Sequence, residues 1–462
     1  MKCLRRVLFL ALCAGLTACA SVPDAHKIIE QSAQNASPPE ITGAHGPLTA
    51  EQSAELLTNI GIPDSLQRHL AIEQAVAKTR LVAGNSTVVM QDGKQTFKAM
   101  FAAIKGAKSY VNLEYYILEN VKSGGVSLGS LLIRKRRQGV AVNIIYDSYG
   151  SDTTPTAFFT RLEKAGVKVV QFNPINPLEA HGSYLPNDRD HRKILVVDGS
   201  TAIIGGVNLS TTYQPHSPGK SSGTPGLSAA FWRDTDLEIR GPAVAELEDL
   251  FVEHWIAQKG PPLNRKSYFP KEHRQGTEIV RVIRSTPDNV IPNYYVMLLS
   301  AIRSARKNVW LMTAYFVPTD QAVDDLKDAA RRGVDVRLFI PDRSDSDMAM
   351  LMQHSRYHEL LKAGVKIYES KNEILHSKVA LVDGVWTVIG SSNFDYRSIV
   401  FNDEVDVVVL GRDTGREVER MFENDFSGAT PIDREKWSNR PFPEKLQETF
   451  GPVWLTTIKP NL

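Results

Sequence analysis

The chain has 462 residues and a mass of 51.3 kDa, too much for one ordinary core and comfortable for two domains. Hydrophobic residues make up 42% and charged residues 23%, which excludes a disordered, collagen-like or many-span membrane chain. Fifty-four Lys and Arg against 52 Asp and Glu leave a net charge of +2, so the molecule as a whole is no electrostatic trap for nucleic acid, and no nucleic-acid partner is expected.

All three cysteines (Cys3, Cys13, Cys19) fall in the first nineteen residues, so the body has neither a disulfide framework nor a thiol nucleophile. Lys2, Arg5 and Arg6 precede an apolar run from Val7 to Leu12, the layout of an export signal over residues 1–18. The run ends Leu16-Thr17-Ala18-Cys19, which resembles the lipobox of bacterial lipoproteins and predicts a lipid-modified Cys19. Without Asp after the cysteine, a two-membrane host would place the protein on the outer membrane facing the periplasm. Residues 19–48, rich in Ser, Pro, Ala and Gly, read as a tether. Residues 49–83 read as an introductory helical segment broken at Pro63.

From there the chain repeats itself. Lys164-Ala165-Gly166-Val167-Lys168 returns letter for letter at Lys362-Ala363-Gly364-Val365-Lys366, and Ala103-Ile104 returns at Ala301-Ile302, each 198 residues on. Both halves alternate helix and apolar strand, with glycine where helices should stop. The expected fold is α/β: two duplicated sandwich domains, residues 84–265 and 266–462, each with a largely parallel sheet.

Two matched constellations carry the chemistry. His191-Arg192-Lys193 precedes an apolar run ending at Asp198-Gly199; His376-Ser377-Lys378 precedes another ending at Asp383-Gly384. Both read H-x-K-x(4)-D, and seventeen residues after each histidine stands an asparagine, Asn208 or Asn393. Residues i and i+2 on a strand share a face, so each His and Lys project together. The Asp-Gly pairs predict tight hairpin turns, with Asp198 and Asp383 bonding local backbone.

A phosphodiester repels nucleophiles and has a poor alkoxide leaving group. One neutral imidazole can attack phosphorus while a second, protonated, supplies the departing alcohol with its proton. Lysines and asparagines can hold the phosphoryl oxygens, the task a metal ion performs elsewhere, so neither metal nor cofactor is expected. A carboxylate behind each imidazole would orient it. Glu404, 28 residues after His376, is one candidate, and Asp236 is its expected counterpart in the first half.

At these residues the chain resembles the phospholipase D superfamily, and within it the bacterial cardiolipin synthases. Leu113-Glu114-Tyr115-Tyr116, Trp232-Arg233-Asp234-Thr235, Tyr315-Phe316-Val317-Pro318, Gly333-Val334-Asp335-Val336 and Asn393-Phe394-Asp395-Tyr396-Arg397-Ser398 add to the two motifs. The resemblance implies a pseudo-dimer around one active site, with His191 as nucleophile and His376 as acid and base. It implies phosphatidyl transfer between membrane phospholipids, phosphatidylglycerol first and phosphatidylethanolamine second. Hydrolysis of the same lipids and, further off, DNA cleavage stay open; no accessory protein is identified. Residues 215–230 read as a loop near the first motif, and Met348, Met350 and Met352 as core packing.

Overall fold

The computed structural model describes residues 22–43, 45–176, 185, 187–214, 231–264, 268–270, 273–371 and 373–441. The export signal, Cys19 and the loop 215–230 lie outside the described residues.

The strands of the first half that build its sheet and site are β1 (Leu81–Gln91), β2 (Tyr110–Tyr115), β3 (Ala141–Asp147), β4 (Lys168–Phe172), β5 (Arg189–Asp190), β6 (Lys193–Val197), β7 (Thr201–Gly205), β8 (Phe231–Arg233) and β9 (Thr235–Arg240). Those of the second half are β10 (Glu278–Ser285), β11 (Asn308–Met312), β12 (Asp335–Ile340), β13 (Lys366–Glu369), β14 (Glu373–Leu375), β15 (Val379–Val382), β16 (Trp386–Gly390) and β17 (Asn402–Leu410). The first sheet runs β4-β3-β2-β6-β7-β9-β1. The second runs β13-β12-β11-β15-β16-β17-β10, the same order repeated.

Only β2, β3 and β4, with β11, β12 and β13, lie parallel; the remaining pairs in these orders are antiparallel, so each sheet is mixed rather than largely parallel. The Asp-Gly turns cause this. Asp198 and Gly199 stand at φ 52° and 60°, Asp383 and Gly384 at 53° and 71°, so both central residues are left-handed and the chain reverses within one short turn. The two sheets meet at β1. Its first residues pair with β10 and its last with β9, both antiparallel.

Each motif strand is buried on both faces. Ile194 and Val196, with Val379 and Leu381, join one apolar cluster drawn from both halves, while Leu195 and Val197 pack under the outer helices of the first half. That shared cluster fixes how the halves sit on each other.

The segment expected to be a tether is built into the fold from Val22 onward. Asp24 caps a helix Ala25–Gln34 whose Ala25 and Ile29 are buried against the second half, and Ile41–Gly43 pairs with the start of β1. With two buried apolar residues among Ser, Gln and Lys, that helix is held by docking, not by its own pattern. The helices Ala50–Asn59 and Asp64–Ala77, separated at Pro63, also pack on the second half. Among the described residues no helix is long and apolar enough to cross a membrane.

Candidate active site

Two short parallel ladders cross between the halves. In one, β5 pairs with the start of β17 (Arg189 with Asn402, Asp190 with Asp403); in the other, β8 pairs with β14 (Trp232 with Ile374, Arg233 with Leu375). They lead directly into the histidines: His191 N–H donates to the Asp403 carbonyl (2.9 Å) and His376 N–H to the Arg233 carbonyl (2.8 Å). The residue after each acceptor carbonyl is a carboxylate, so each half presents an acid to the other half's imidazole.

Glu404 places Oε1 and Oε2 each 3.0 Å from Nδ1 of His191. Asp234 places Oδ2 2.7 Å from Nδ1 of His376. The orienting carboxylate of the first half is therefore Asp234, and the expectation for Asp236 is corrected. Asp236 faces Gly205 in the ladder as Asp406 faces Gly390, which makes Asp236 the counterpart of Asp406 and Asp234 that of Glu404. Asp236 accepts the Val207 N–H at 3.0 Å, and Asp406 accepts Ser392 N–H at 3.2 Å and its hydroxyl at 2.5 Å. These acids brace the loops that carry Asn208 and Asn393. A Cβ at Gly205 or Gly390 would overlap those carboxylates, which is why glycine stands there. Burial, with Asp234 nearby, pushes Asp236 well up; burial also pushes Asp406 up, to about 7.

Sequence reasoning missed three further groups. Ser391 Oγ and Asn402 Nδ2 donate to Glu404 at 2.5 and 3.0 Å, holding its carboxylate toward His191. Tyr213, from the first half, puts its hydroxyl 3.1 Å from His376 Nδ1 and 3.2 Å from Asp234 Oδ2. Only Ser391 had a sequence signal, its place in Gly390-Ser391-Ser392 directly before Asn393.

Lys193 and Lys378 each donate to the carbonyl of the histidine two residues before, and Lys193 Nζ stands 5.4 Å from the centre of the Tyr116 ring. Lys378 Nζ also lies 2.8 Å from His376 Nδ1. That nitrogen carries one hydrogen, which the Asp234 carboxylate takes, so Lys378 acts on the ring as a charge. Asn208 Oδ1 accepts the Ile117 N–H at 3.1 Å, and its side chain also hydrogen-bonds Tyr213.

Both motif aspartates stand at the far end of their strands. Asp198 accepts backbone N–H from Lys108, Ser109 and Tyr110 at 2.7–2.8 Å. Asp383 does the same for Arg306, Lys307 and Asn308. The expected backbone bonds are present, but to the start of the neighbouring strand rather than within the turn.

Electrostatics follow from burial. Burial and the two lysines bring His191 down to about 4, against the upward pull of Glu404. Burial and Lys378 also hold His376 low, against Asp234. Lys193 falls to about 7 and Lys378 to about 8, each chiefly by burial. Burial opposes ionisation of Glu404, but His191, Lys193 and Ser391 outweigh it and bring it down to about 2.

His191, His376, Asn208 and Asn393 open onto one cavity of about 530 Å³. Its walls include Tyr116, Trp232, Tyr315 and Val317, with Arg189, Arg397, Asp345 and Asp395 as charged groups. Met348 and Met352, expected to be core, line it too.

Among the described residues, Glu114, Asp190 and His254 converge as metal ligands would. Glu114 Oε1 is already shared by His254 Nδ1 (2.9 Å) and Arg192 (3.2 Å). Burial pulls His254 down, but Glu114 outweighs it and raises the imidazole above its ordinary value. The cluster is an ion network behind the first motif.

The family model described as "Cardiolipin synthase, PLD-like domain" matches residues 100–215 and 298–426. A cardiolipin synthase of Geobacillus kaustophilus (strain HTA426) is 36% identical over 369 residues, covering 79% of this chain and 71% of that one. Cardiolipin synthase 1 of Bacillus anthracis is 33% identical over 373 residues, covering 79% and 71%. The crystal structure of phosphatidylserine synthase from Haemophilus influenzae Rd KW20 superposes with a TM-score of 0.62, over 84% of this chain and 99% of that one. At 12% identity the likeness is one of fold.

Proposed function

Because this chain belongs to the cardiolipin synthase, phospholipase D-like family, we propose that it joins two phosphatidylglycerol molecules into cardiolipin and glycerol, with His191 as nucleophile and His376 as acid and base. It is a phospholipid phosphatidyltransferase acting on membrane phospholipids. One observation carries the reading. Two imidazoles, each held at Nδ1 by a carboxylate of the other half, open onto a single cavity.

With Nδ1–H given to Glu404, the His191 ring keeps its Nε2 lone pair for phosphorus. The new P–N bond displaces the headgroup glycerol, whose oxygen takes a proton from His376 Nε2. In the second step His376 removes the proton of an incoming lipid hydroxyl, that oxygen attacks phosphorus, and the P–N bond breaks. Lys193, Lys378, Asn208 and Asn393 hold the non-bridging oxygens. In the empty site both rings are depressed; an arriving phosphodiester anion raises His376 and so supplies the proton the first step needs. The sequence supports a lipid anchor at Cys19 and residence in the cell envelope, on the outer membrane facing the periplasm in a two-membrane host.

The purified full chain given phosphatidylglycerol should release cardiolipin and glycerol; phosphatidic acid alone would replace transfer with hydrolysis. In a His376→Asn variant, a phosphatidyl ester of p-nitrophenol needs no acid to depart. Phosphatidyl label should then collect on His191, and label on any other residue would overturn the assignment.

A further inference from the structure

Seven large apolar side chains are exposed among the described residues, and single exposed ones need no explanation. Four of them, Tyr149, Ile175, Leu185 and Val290, exposed to 61%, 56%, 52% and 90%, lie on segments linked to the cavity wall.

Their placement follows from named contacts. Arg189, which lines the cavity, lies over the Tyr149 ring at 5.7 Å. Asn173 donates to the carbonyls of Leu185 and Asp188, both at 2.8 Å, which ties the Ile175 turn to Leu185. Arg397, also in the wall, donates to the Asn187 carbonyl at 2.9 Å. Val290 sits in the connection after β10; Asp288 of that connection acts on Asp188, and Pro292 shares a recess with Asn393 and Ser398.

The described chain begins on this same face. Ala25 N–H donates to Gln321 at 2.8 Å, four residues beyond the wall residue Val317, a separation of at most about 14 Å along the chain. Five peptide steps separate Cys19 from Asp24 and can span at most about 18 Å. A lipid on Cys19 would therefore draw the bilayer to the face that carries the cavity, not to the back of the molecule.

We propose that Tyr149, Ile175, Leu185 and Val290 form the surface that seats the cavity mouth on a phospholipid bilayer, with the N-terminal anchor setting that orientation. Arg189 and Arg397 then lie at headgroup level, where anionic phosphates gather. The anchor brings the protein to the membrane, and the apolar rim lets a lipid slide from bilayer to cavity without crossing water. The inference rests on the phospholipid reading of the site, but its test does not need turnover.

In the mature full chain carrying Val290→Cys, a bimane label should shift to the blue on vesicles of phosphatidylglycerol and phosphatidylethanolamine. The same label at Ser200→Cys, beside the turn at the far end of β6, should not. Equal emission at the two positions on membrane-bound protein would overturn the proposal, whether or not cardiolipin forms. As a second readout, the double variant Leu185→Asp, Val290→Asp should lose at least about fivefold of its rate on vesicles while keeping its rate on monomeric dihexanoyl-phosphatidylglycerol. Equal loss on both substrates would also overturn it. No product from either substrate with the unaltered chain would instead remove the catalytic reading and leave the bimane result standing.

Discussion

Glu404 of the second half sets both its oxygens 3.0 Å from Nδ1 of His191 in the first. Neither half can therefore orient its own histidine, and the duplicated chain makes one site rather than two. Glu404→Gln and Asp234→Asn should each lower kcat by about 10²- to 10⁴-fold, because an amide no longer enforces the tautomer. Asp236→Asn keeps an acceptor for Val207 N–H and should cost less than about tenfold. Steady-state rates on phosphatidylglycerol order the three; a larger loss at Asp236 than at Asp234 would reverse the assignment.

The pH profile follows from the two histidines and the two lysines, all buried. His191 titrates at about 4, Lys193 at about 7 and Lys378 at about 8 in the free site. Below about 4 the nucleophile is protonated and kcat/KM falls with falling pH. With rising pH kcat/KM falls first as the depressed His376 loses the proton the leaving group needs, then further through about 7 to 8 as the lysines lose the charge that binds the phosphodiester. Bound substrate is an anion that raises both lysines, so the alkaline limb of kcat should sit at higher pH than that of kcat/KM. Coincident alkaline limbs would mean that neither His376 nor a lysine gains its proton with the bound substrate.

The duplication, the motif strands with their Asp-Gly turns and the placement of His191, Lys193, His376 and Lys378 were legible because letter repeats and strand periodicity are local. Asp234 was not. Residues two apart on a strand share a face, so alternation cannot choose between Asp234 and Asp236, and the unequal chain between asparagine and acid (Asn208 to Asp234, Asn393 to Glu404) spoils a count from the motif. Only the pairing of Gly205 with Asp236, and of Gly390 with Asp406, settles the register. Tyr213 was illegible for another reason. It serves the other half's histidine, and nothing in a linear pattern reports which half a side chain visits.

Asp345 stands on the His376 side of the cavity, with the Tyr315 hydroxyl donating to it at 2.7 Å and the Tyr315 ring 6.4 Å from that of His376. A carboxylate repels the phosphodiester but accepts hydrogen bonds from a polyol headgroup. Asp345→Asn should therefore raise KM for the acceptor lipid by about tenfold, one charge-assisted bond, while the donor step is nearly unchanged. The ratio of cardiolipin to phosphatidic acid, read by mass spectrometry at limiting phosphatidylglycerol, should fall. An unaltered ratio would remove Asp345 from acceptor binding.

The N-terminal helix Asp64–Ala77 carries Glu73 into the core of the second half, where its carboxylate is fully buried. Arg281 stands 3.2 Å from one oxygen, and His69 and the Trp386 indole N–H each 3.0 Å from the other. Removing one member strands the Arg281 charge in a medium that cannot solvate it, so Glu73→Gln should destabilise the full chain by about 3 to 5 kcal/mol. The paired replacement Glu73→Leu, Arg281→Met removes both charges and should recover most of that loss. Urea unfolding followed by tryptophan emission reads both, since Trp386 is fully buried beside Glu73 and meets water only on unfolding. If the single and paired variants unfold at the same urea concentration, the ion pair is not what fastens the N-terminal segment to the second half.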